Sequence, residues 1–185
     1  MQQRNADRTR ARILAAAIEE FAARGIAGAR VDRIAEVAGC NKAMLYAYFG
    51  NKDDLFDAAF GASVEQYLEE VGFDVDDLPA YAGRVFDYFE AHPERLRLST
   101  WYRLERPSGQ PLEAIVAVNH SRLDELQRGM RRRAVPRQFT PVSLLSLIQA
   151  IATSWSSMNP EFGVDEPNAI VRRRAVVMAV QKILS

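Results

Sequence analysis

Helical periodicity is the feature of this sequence that most limits its possible folds. Apolar residues recur at steps of three and four along most of the 185 residues, and no apolar/polar alternation is long enough to predict a strand. In the first pattern Ile13, Ala17 and Phe21 share one helix face, and Gly25 supplies a C-terminal stop. The sequence therefore predicts an all-α protein of about nine helices.

The later helices follow from the same periodicity. A long helix is predicted to begin at Lys52, and Pro79 is predicted to close its region. Further helices are predicted over residues 81–91, 93–105, 111–133, 141–158 and 167–184. Four of these five segments begin at a proline, which fits the first helical turn because its missing N–H has no intrahelical partner there.

Residues 32–49 have the pattern of a helix, a three-residue turn and a second helix. Gly39 can adopt the left-handed conformation that ends the first helix, and Asn41 is a preferred N-cap for the second. Ala35 and Ala38 are small enough for a steep helix crossing, with Leu45 in the core beneath. The pattern is that of a helix-turn-helix, although two short helices of a bundle would give the same signal.

The second helix of this segment leaves several side chains for a partner. In a DNA-recognition helix the N-terminal residues contact base edges in the major groove, while hydroxyl and ammonium groups further along contact phosphates. Tyr46, Tyr48 and Lys52 suit the phosphate contacts, and Lys42, Ala43 and Met44 stand at the N-terminal end.

Several short strings of residues carry a family resemblance. They are Ile34-Ala35, Ala38-Gly39, Asn41, Leu45-Tyr46-Ala47-Tyr48-Phe49 and Lys52-Asp53-Asp54-Leu55, preceded by the helix over residues 12–25. In this order they resemble the N-terminal domain of TetR-type transcriptional repressors, from residue 8 to about residue 60.

The resemblance implies roles for individual residues. Tyr46, Tyr48 and Lys52 match positions that contact the DNA backbone, and Lys42, Ala43 and Met44 match positions at the base edges. Arg30 and Arg33 flank the entry to the first motif helix, and Asn41 caps the second. The alternatives are a mainly structural Tyr46 and a solvated charge at Arg33.

Two residues depart from the family pattern. Arg30 occupies the position where the family usually has a capping Thr or Ser, so capping falls to Asp32 or is absent. Met44 replaces a small polar residue, which favours apolar contact with a thymine methyl group over a hydrogen bond to a base.

For the second half, the resemblance implies an all-α domain for effector binding and dimerisation. Asn119 lies on an otherwise apolar helix stripe, and a buried amide needs a hydrogen-bond partner in the protein or in a ligand. The residues predicted to line an effector pocket are Phe86, Phe89, Trp101, Tyr102, Asn119, Leu123 and Trp155.

The last two predicted helices are apolar over more than one face. Such helices either form a central core pair or pair with their copies across a two-fold axis. The residues predicted for a dimer interface are Leu144, Leu147, Ile148, Ile151, Val176, Val180 and Ile183.

Charge is distributed unevenly along a chain whose 24 basic and 24 acidic residues cancel. Residues 1–52, the predicted DNA-binding domain, hold nine basic and five acidic groups. Residues 53–79, a predicted connecting segment, hold nine acids and no base, and residues 80–185 form the predicted effector domain. Local charge matters more than the total for DNA binding. Arginines precede or open the first helix, as a DNA-contacting arm or a disordered tail: Arg4, Arg8, Arg10 and Arg12.

Other classes of function lack a signal. Cys40 is the single cysteine, the N-terminus has no apolar signal-peptide region, and no run reaches the ~18 apolar residues of a membrane span. We therefore expect a soluble, cytoplasmic protein. The two histidines lack metal-ligand spacing and no catalytic motif is present, so we expect no metal, no cofactor and no enzymatic activity.

Together with these patterns, the resemblance to TetR-type repressors implies a homodimeric repressor that binds a palindromic operator in double-stranded DNA. A small apolar or amphipathic effector would bind the C-terminal helices and shift the helix over residues 52–72. The alternative is an all-α ligand-binding or protein-interaction module without specific DNA binding.

Overall fold

A computed structural model describes residues 2–106, 113–132, 135–136, 138–155 and 167–185, and within these ranges the chain forms nine α-helices and no strand. The predicted all-α class is therefore confirmed. The helices are α1 (Gln2–Gly28), α2 (Val31–Ala38), α3 (Lys42–Phe49), α4 (Lys52–Val71), α5 (Leu78–Ala91), α6 (Pro93–Glu105), α7 (Glu113–Arg131), α8 (Pro141–Ala152) and α9 (Ala169–Leu184).

Helix α1 differs from the sequence prediction at both ends. It begins at Gln2, so the arginines at positions 4, 8, 10 and 12 lie on a helix rather than in a disordered tail. Near its C-terminus Gly25 has φ 64° and ψ 178°, which interrupts the helix where the sequence placed a glycine stop. A short helical turn follows and ends at Gly28.

Capping residues explain where the later helices begin. Helix α5 begins at Leu78, three residues before the prediction, because Asp77 accepts the Ala80 N–H at 3.0 Å and Pro79 fits the first turn. Pro79 therefore lies in the first turn of α5, whereas the sequence predicted that it ends the region of the preceding long helix. Asn168 caps α9 by accepting the Val171 N–H at 3.1 Å. Helix α8 ends at Ala152, and Met158, the predicted end, lies outside the described residues.

The chain divides into two compact units. The first comprises residues 1–66 and 94–112, and the second comprises residues 67–93 and 113–185. This division differs from the predicted boundaries after residues 52 and 79. The first change of unit falls inside α4, and α6 belongs to the first unit.

Aromatic stacking explains why α6 belongs to the first unit. The Phe56 ring of α4 contacts Phe21 of α1 edge to face, with centroids 5.0 Å apart. Tyr102 of α6 stacks on Phe56 at 5.6 Å and on Phe60 at 3.9 Å. Each such pair adds about 0.5–1.5 kcal/mol beyond its burial. At the end of α6, Arg106 forms ion pairs with Asp53 and Asp57 of α4, both at 3.2 Å.

The core of the second unit contains residues that the sequence assigned to a dimer interface. Leu144, Ile148, Val176 and Val180 are buried within a single chain, so packing in this core already accounts for their apolar character. Helices α8 and α9 each use one apolar face for this core. Side chains on successive turns of that face pack against α5 or against the other helix of the pair. Leu147, Ile151 and Ile183 keep part of their surface exposed.

The sequence predicts no membrane-spanning helix, and helix length and apolar character test this prediction. Of the helices in the described ranges, none is both long enough and apolar enough to cross a membrane.

Replacing Gly25 with alanine tests the packing of α6 in the first unit. Its φ and ψ lie in a region that only glycine adopts readily, and an added Cβ would stand 2.8 Å from the Trp101 ring. We expect Gly25→Ala to lower the free energy of unfolding by about 2–4 kcal/mol in urea titrations.

Gly39→Ala is the matched control for that substitution. Gly39 also has φ 64°, but its added Cβ meets nothing closer than 3.9 Å, so we expect a loss of only about 1–2 kcal/mol. Equal losses for the two variants would contradict a role for the Trp101 contact.

Candidate nucleic-acid interface

The turn between α2 and α3 is built by two local contacts. Gly39 is left-handed and its N–H donates to the Glu36 carbonyl at 3.1 Å, while the Cys40 N–H donates to the Ala35 carbonyl at 2.9 Å. Asn41 Oδ1 accepts the Met44 N–H at 2.7 Å and caps α3. The turn and the cap predicted from the sequence are confirmed.

At the N-terminus of α2, the hydrogen-bond acceptor for the backbone comes from another helix. Arg30 makes no side-chain cap, and Asp32 does not supply one. Instead Glu20 of α1, only 7% exposed, accepts the Arg30 N–H at 3.0 Å. The carboxylate also pairs with Arg24 Nε at 3.3 Å and with Arg33 Nη1 at 3.6 Å. Glu20 therefore takes the place of the missing capping hydroxyl and adds a negative charge at the positive end of α2.

Sequence reasoning missed this role of Glu20. Glu20 lies seven residues after Ile13 and three after Ala17, so the periodicity of α1 places it beside the apolar stripe, but the periodicity does not name its partners. The buried environment of its carboxylate comes from α2, ten residues further along the chain, and helical periodicity carries no information about that contact. An unfilled cap position at Arg30 was the available signal.

Helix α3 is anchored on one face and open on the other. Leu45 and Phe49 are buried in the first unit. Lys42, Ala43 and Met44 at the N-terminal end are exposed. Tyr46 and Tyr48 are half-buried, so each ring packs partly against the protein while the rest faces solvent. The residues predicted at base edges thus lie together on the exposed turn of α3.

An ion pair holds the first residue of α3. Lys42 Nζ lies 3.1 Å from Asp32 Oδ1, and its ammonium donates to Oδ2 at 3.2 Å. The hydrogen bond to Asp32, and then the charge of that carboxylate, raise the pKa of Lys42 above its ordinary value. Without DNA, the charged ammonium of Lys42 is therefore bound to the Asp32 carboxylate.

The start of α4 places Lys52 directly after α3. The Asn51 side chain accepts the Asp54 N–H at 2.9 Å and donates to the Asp54 carboxylate at 2.7 Å, so the helix begins at Lys52. Lys52 is half-buried in the first turn. Tyr48 and Lys52 are thus separated only by the tight turn at Gly50, which has φ 76°.

A cation from α1 reaches α3 as well. The Arg10 guanidinium lies over the Phe49 ring, 5.1 Å from its centroid. Arg10 therefore brings positive charge from the N-terminal segment to the last turn of α3. The remaining arginines of this segment, Arg4, Arg8 and Arg12, are exposed on the same helix.

The residues predicted to line an effector pocket fall in both units. Phe86, Phe89, Leu123 and Trp155 pack in or against the core of the second unit. Trp101 and Tyr102 belong to the first unit, where they contact Gly25 and the rings of α4. The Asn119 side chain is exposed on α7, so the expectation of a buried amide is not met.

The second unit contains a polar cluster that the sequence did not indicate. Gln149 donates to the hydroxyls of Tyr67 and Tyr81, and Arg122 is buried beside both rings. An arginine that follows the polar run Asn119-His120-Ser121 is typical of an exposed helix face, so its burial could not be predicted from the sequence. In the described part of the chain no group of histidine, cysteine or acidic side chains is arranged to hold a metal ion.

The Glu20 carboxylate offers a direct stability test. Glu20→Gln keeps an acceptor for the Arg30 N–H but removes the charge that Arg24 and Arg33 share, so we expect thermal or urea unfolding to show a loss of about 1–2 kcal/mol. Glu19→Gln, at the exposed neighbouring carboxylate, should change stability by less than about 0.5 kcal/mol. Equal effects at both positions would show that the buried charge contributes nothing.

Two family models match consecutive parts of this chain. Residues 13–59 match the family "Bacterial regulatory proteins, tetR family", and residues 77–182 match "Tetracyclin repressor-like, C-terminal domain". The HTH-type transcriptional repressor SCO4008 of Streptomyces coelicolor is 39% identical over 163 residues, which cover 87% of this chain and 84% of that protein.

Solved structures share the fold. The crystal structure of SCO4942 from Streptomyces coelicolor has a TM-score of 0.85 and 40% identity, over 95% of this chain and 97% of that one. A TetR family transcription regulator from Marinobacter aquaeolei matches in fold, with a TM-score of 0.73 and 23% identity over 98% and 97% of the two chains. This chain belongs to the TetR family of bacterial transcriptional regulators.

Proposed function

We propose that this protein is a homodimeric repressor that binds a palindromic DNA operator and is released by a small-molecule effector. The observation that carries the proposal is the open N-terminal turn of α3, which is capped by Asn41 and anchored by Leu45 and Phe49. A recognition helix needs this arrangement, because base edges are read by the first turn of a helix held rigidly in the major groove.

Each residue around this turn has a role in the proposed complex. Lys42, Ala43 and Met44 face the base edges, and the exposed Met44 side chain suits a thymine methyl group. Tyr46, Tyr48 and Lys52 bind phosphates on one side of the groove. Arg30 and Arg33 lie at the start of α2 and bind the backbone there, although Arg33 also pairs with Glu20. Similarity to SCO4008, a repressor, favours repression over activation.

The phosphate contacts are tested by fluorescence anisotropy with duplex DNA from upstream of the protein's own gene. We expect Tyr46→Phe and Lys52→Ala each to weaken binding about five- to ten-fold in the dimer, because each substitution removes two phosphate contacts. For Lys52→Ala the slope of log K against log salt should fall by about 0.9 for each protomer.

Lys182→Ala is the matched control, since Lys182 is an exposed base at the end of α9. It should leave both affinity and salt slope unchanged. Equal affinity for random duplex, with no effect of Tyr46→Phe or Lys52→Ala, would reject the repressor and favour an all-α ligand-binding or protein-interaction module.

An apolar surface on α8 and α9 supports the proposed dimer. Leu147, predicted from the sequence, is 38% exposed on α8, whereas Leu144 on the preceding turn is fully buried. Further large apolar side chains exposed on these two helices are Val142, Ile170, Val171 and Met178. Exposed apolar groups gathered on one pair of helices are typical of an interface, and a two-fold axis would let the same surface bind its copy.

Leu147→Asp tests this surface. A carboxylate on each chain would be buried beside its symmetry mate, so we expect the variant to sediment as a monomer where the parent protein is a dimer. Gln127→Asp, on the exposed side of α7, should leave the dimer intact. A dimer that persists in Leu147→Asp would place the interface elsewhere.

The proposed effector response uses the continuity of α4. This helix begins at Lys52, a proposed phosphate contact in the first unit, and continues to Val71, with Tyr67 and the residues after it in the second unit. A ligand that binds around Tyr67 acts on the same helix that carries Lys52. It weakens DNA binding to the extent that it prefers the conformation with lower DNA affinity.

A further inference from the structure

Arg122 of α7 is a buried charge without a carboxylate partner. The residue is 6% exposed in the second unit. Among the residues that the structure describes, no acidic side chain lies within ion-pair distance of its guanidinium and no group accepts a hydrogen bond from it. Buried arginines normally pair with an acid, because a charge removed from water needs an opposite charge or several hydrogen bonds.

Three aromatic rings surround this guanidinium. Its central carbon lies 5.4 Å from the Tyr67 ring centroid and 5.6 Å from each of the Phe73 and Tyr81 centroids. The ring faces compensate part of the positive charge through cation–π attraction. A ring face does not accept guanidinium N–H groups as a carboxylate would, so these N–H groups stay able to donate to a ligand.

The neighbouring hydroxyls add to the excess of donors. Gln149 Nε2 donates to the Tyr67 hydroxyl at 3.2 Å and to the Tyr81 hydroxyl at 2.9 Å. The two hydroxyls lie 3.2 Å apart, so one of them donates to the other. The proton of the second hydroxyl then has no acceptor among the described groups. Burial, and then the proximity of Tyr67, raise the pKa of Tyr81, so this hydroxyl stays protonated and able to donate.

We propose that Arg122 and the hydroxyl pair of Tyr67 and Tyr81 bind the carboxylate of an organic acid with an apolar body. A carboxylate fits the guanidinium fork with two parallel hydrogen bonds and accepts the remaining hydroxyl proton. One unpaired cation balances one negative charge, so a dianion such as a phosphate monoester would leave a buried charge uncompensated. The surrounding aromatic side chains, including Phe73 and Phe89, suit an apolar body.

This acid is the effector in the proposed function, and the inference rests on that function in this respect. Tyr67 belongs to α4, so the carboxylate would contact the helix that begins at Lys52. Binding would therefore change the surroundings of α4 directly, and the ligand's preference for one position of α4 would set the change in DNA affinity.

The test is isothermal titration calorimetry on the purified full chain. Benzoate and octanoate are compared with benzamide and octanamide, which match them in shape but carry no charge. We expect at least one acid to bind ten-fold or more tightly than its amide, and the two acids distinguish an aromatic from an aliphatic body. Acetate and inorganic phosphate should bind weakly, because one lacks the apolar body and the other carries excess charge.

Variants assign the binding to Arg122. Arg122→Gln should weaken binding of the preferred acid about 30-fold or more, because it leaves the carboxylate without its cation. Tyr81→Phe should weaken it several-fold by removing one hydroxyl. Arg128→Gln, an exposed arginine on the same helix, should bind as the parent protein does. If Arg122→Gln does not fold, Arg122→Lys, which keeps the charge without the fork, and Tyr81→Phe decide the question.

The outcomes separate the site from the proposed function. Acids that bind no better than their amides, or an Arg122 variant that binds like the parent protein, would overturn the carboxylate site. Binding that depends on Arg122 would support the site even if the protein failed to bind operator DNA, which would reject the repressor alone. Binding that depends on Arg122 without any change in operator affinity would overturn the effector role.

Discussion

The Glu20 carboxylate is the interaction on which the geometry of the DNA-binding unit depends. A buried negative charge must be compensated, and here the Arg30 N–H, Arg24 and Arg33 all converge on it. Because these groups come from α1 and from the start of α2, the charge fixes the entry of α2 onto α1. Helix α3 in turn packs against α2 through the tight turn at Gly39. The position of α2, and through the turn that of α3, thus depends on one carboxylate of α1.

Local signals made much of the fold and the motif predictable from the sequence. The left-handed Gly39, the Asn41 cap and the buried Leu45 and Phe49 each depend on residues within a few positions of one another. Helical periodicity likewise gave the class of the fold and most of the helices. Helix ends were less accurate, as at α5, where the Asp77 cap moves the start forward by three residues.

Contacts between distant segments account for what the sequence could not predict. Leu144 and Leu147 are equally apolar, yet only the packing of α8 in the second unit separates a core residue from a surface residue. Tyr102 was expected near a ligand because it stands among aromatic residues, but its ring stacks on α4. Arg122 is charged, so the sequence predicts that it is exposed to solvent. Its burial depends on the three aromatic rings around it, which come from distant parts of the chain.

The return of α6 to the first unit has a consequence for how this protein can be divided. The polypeptide changes unit three times, near residues 66, 93 and 112, so no single cut separates the two halves. A fragment that stopped at the end of α4 would lack Tyr102 and leave the faces of Phe56 and Phe60 uncovered. A chimera that joins the first unit to the C-terminal domain of another protein must therefore include α6. Otherwise the other protein must supply an aromatic side chain that packs on Phe56 and Phe60 as Tyr102 does.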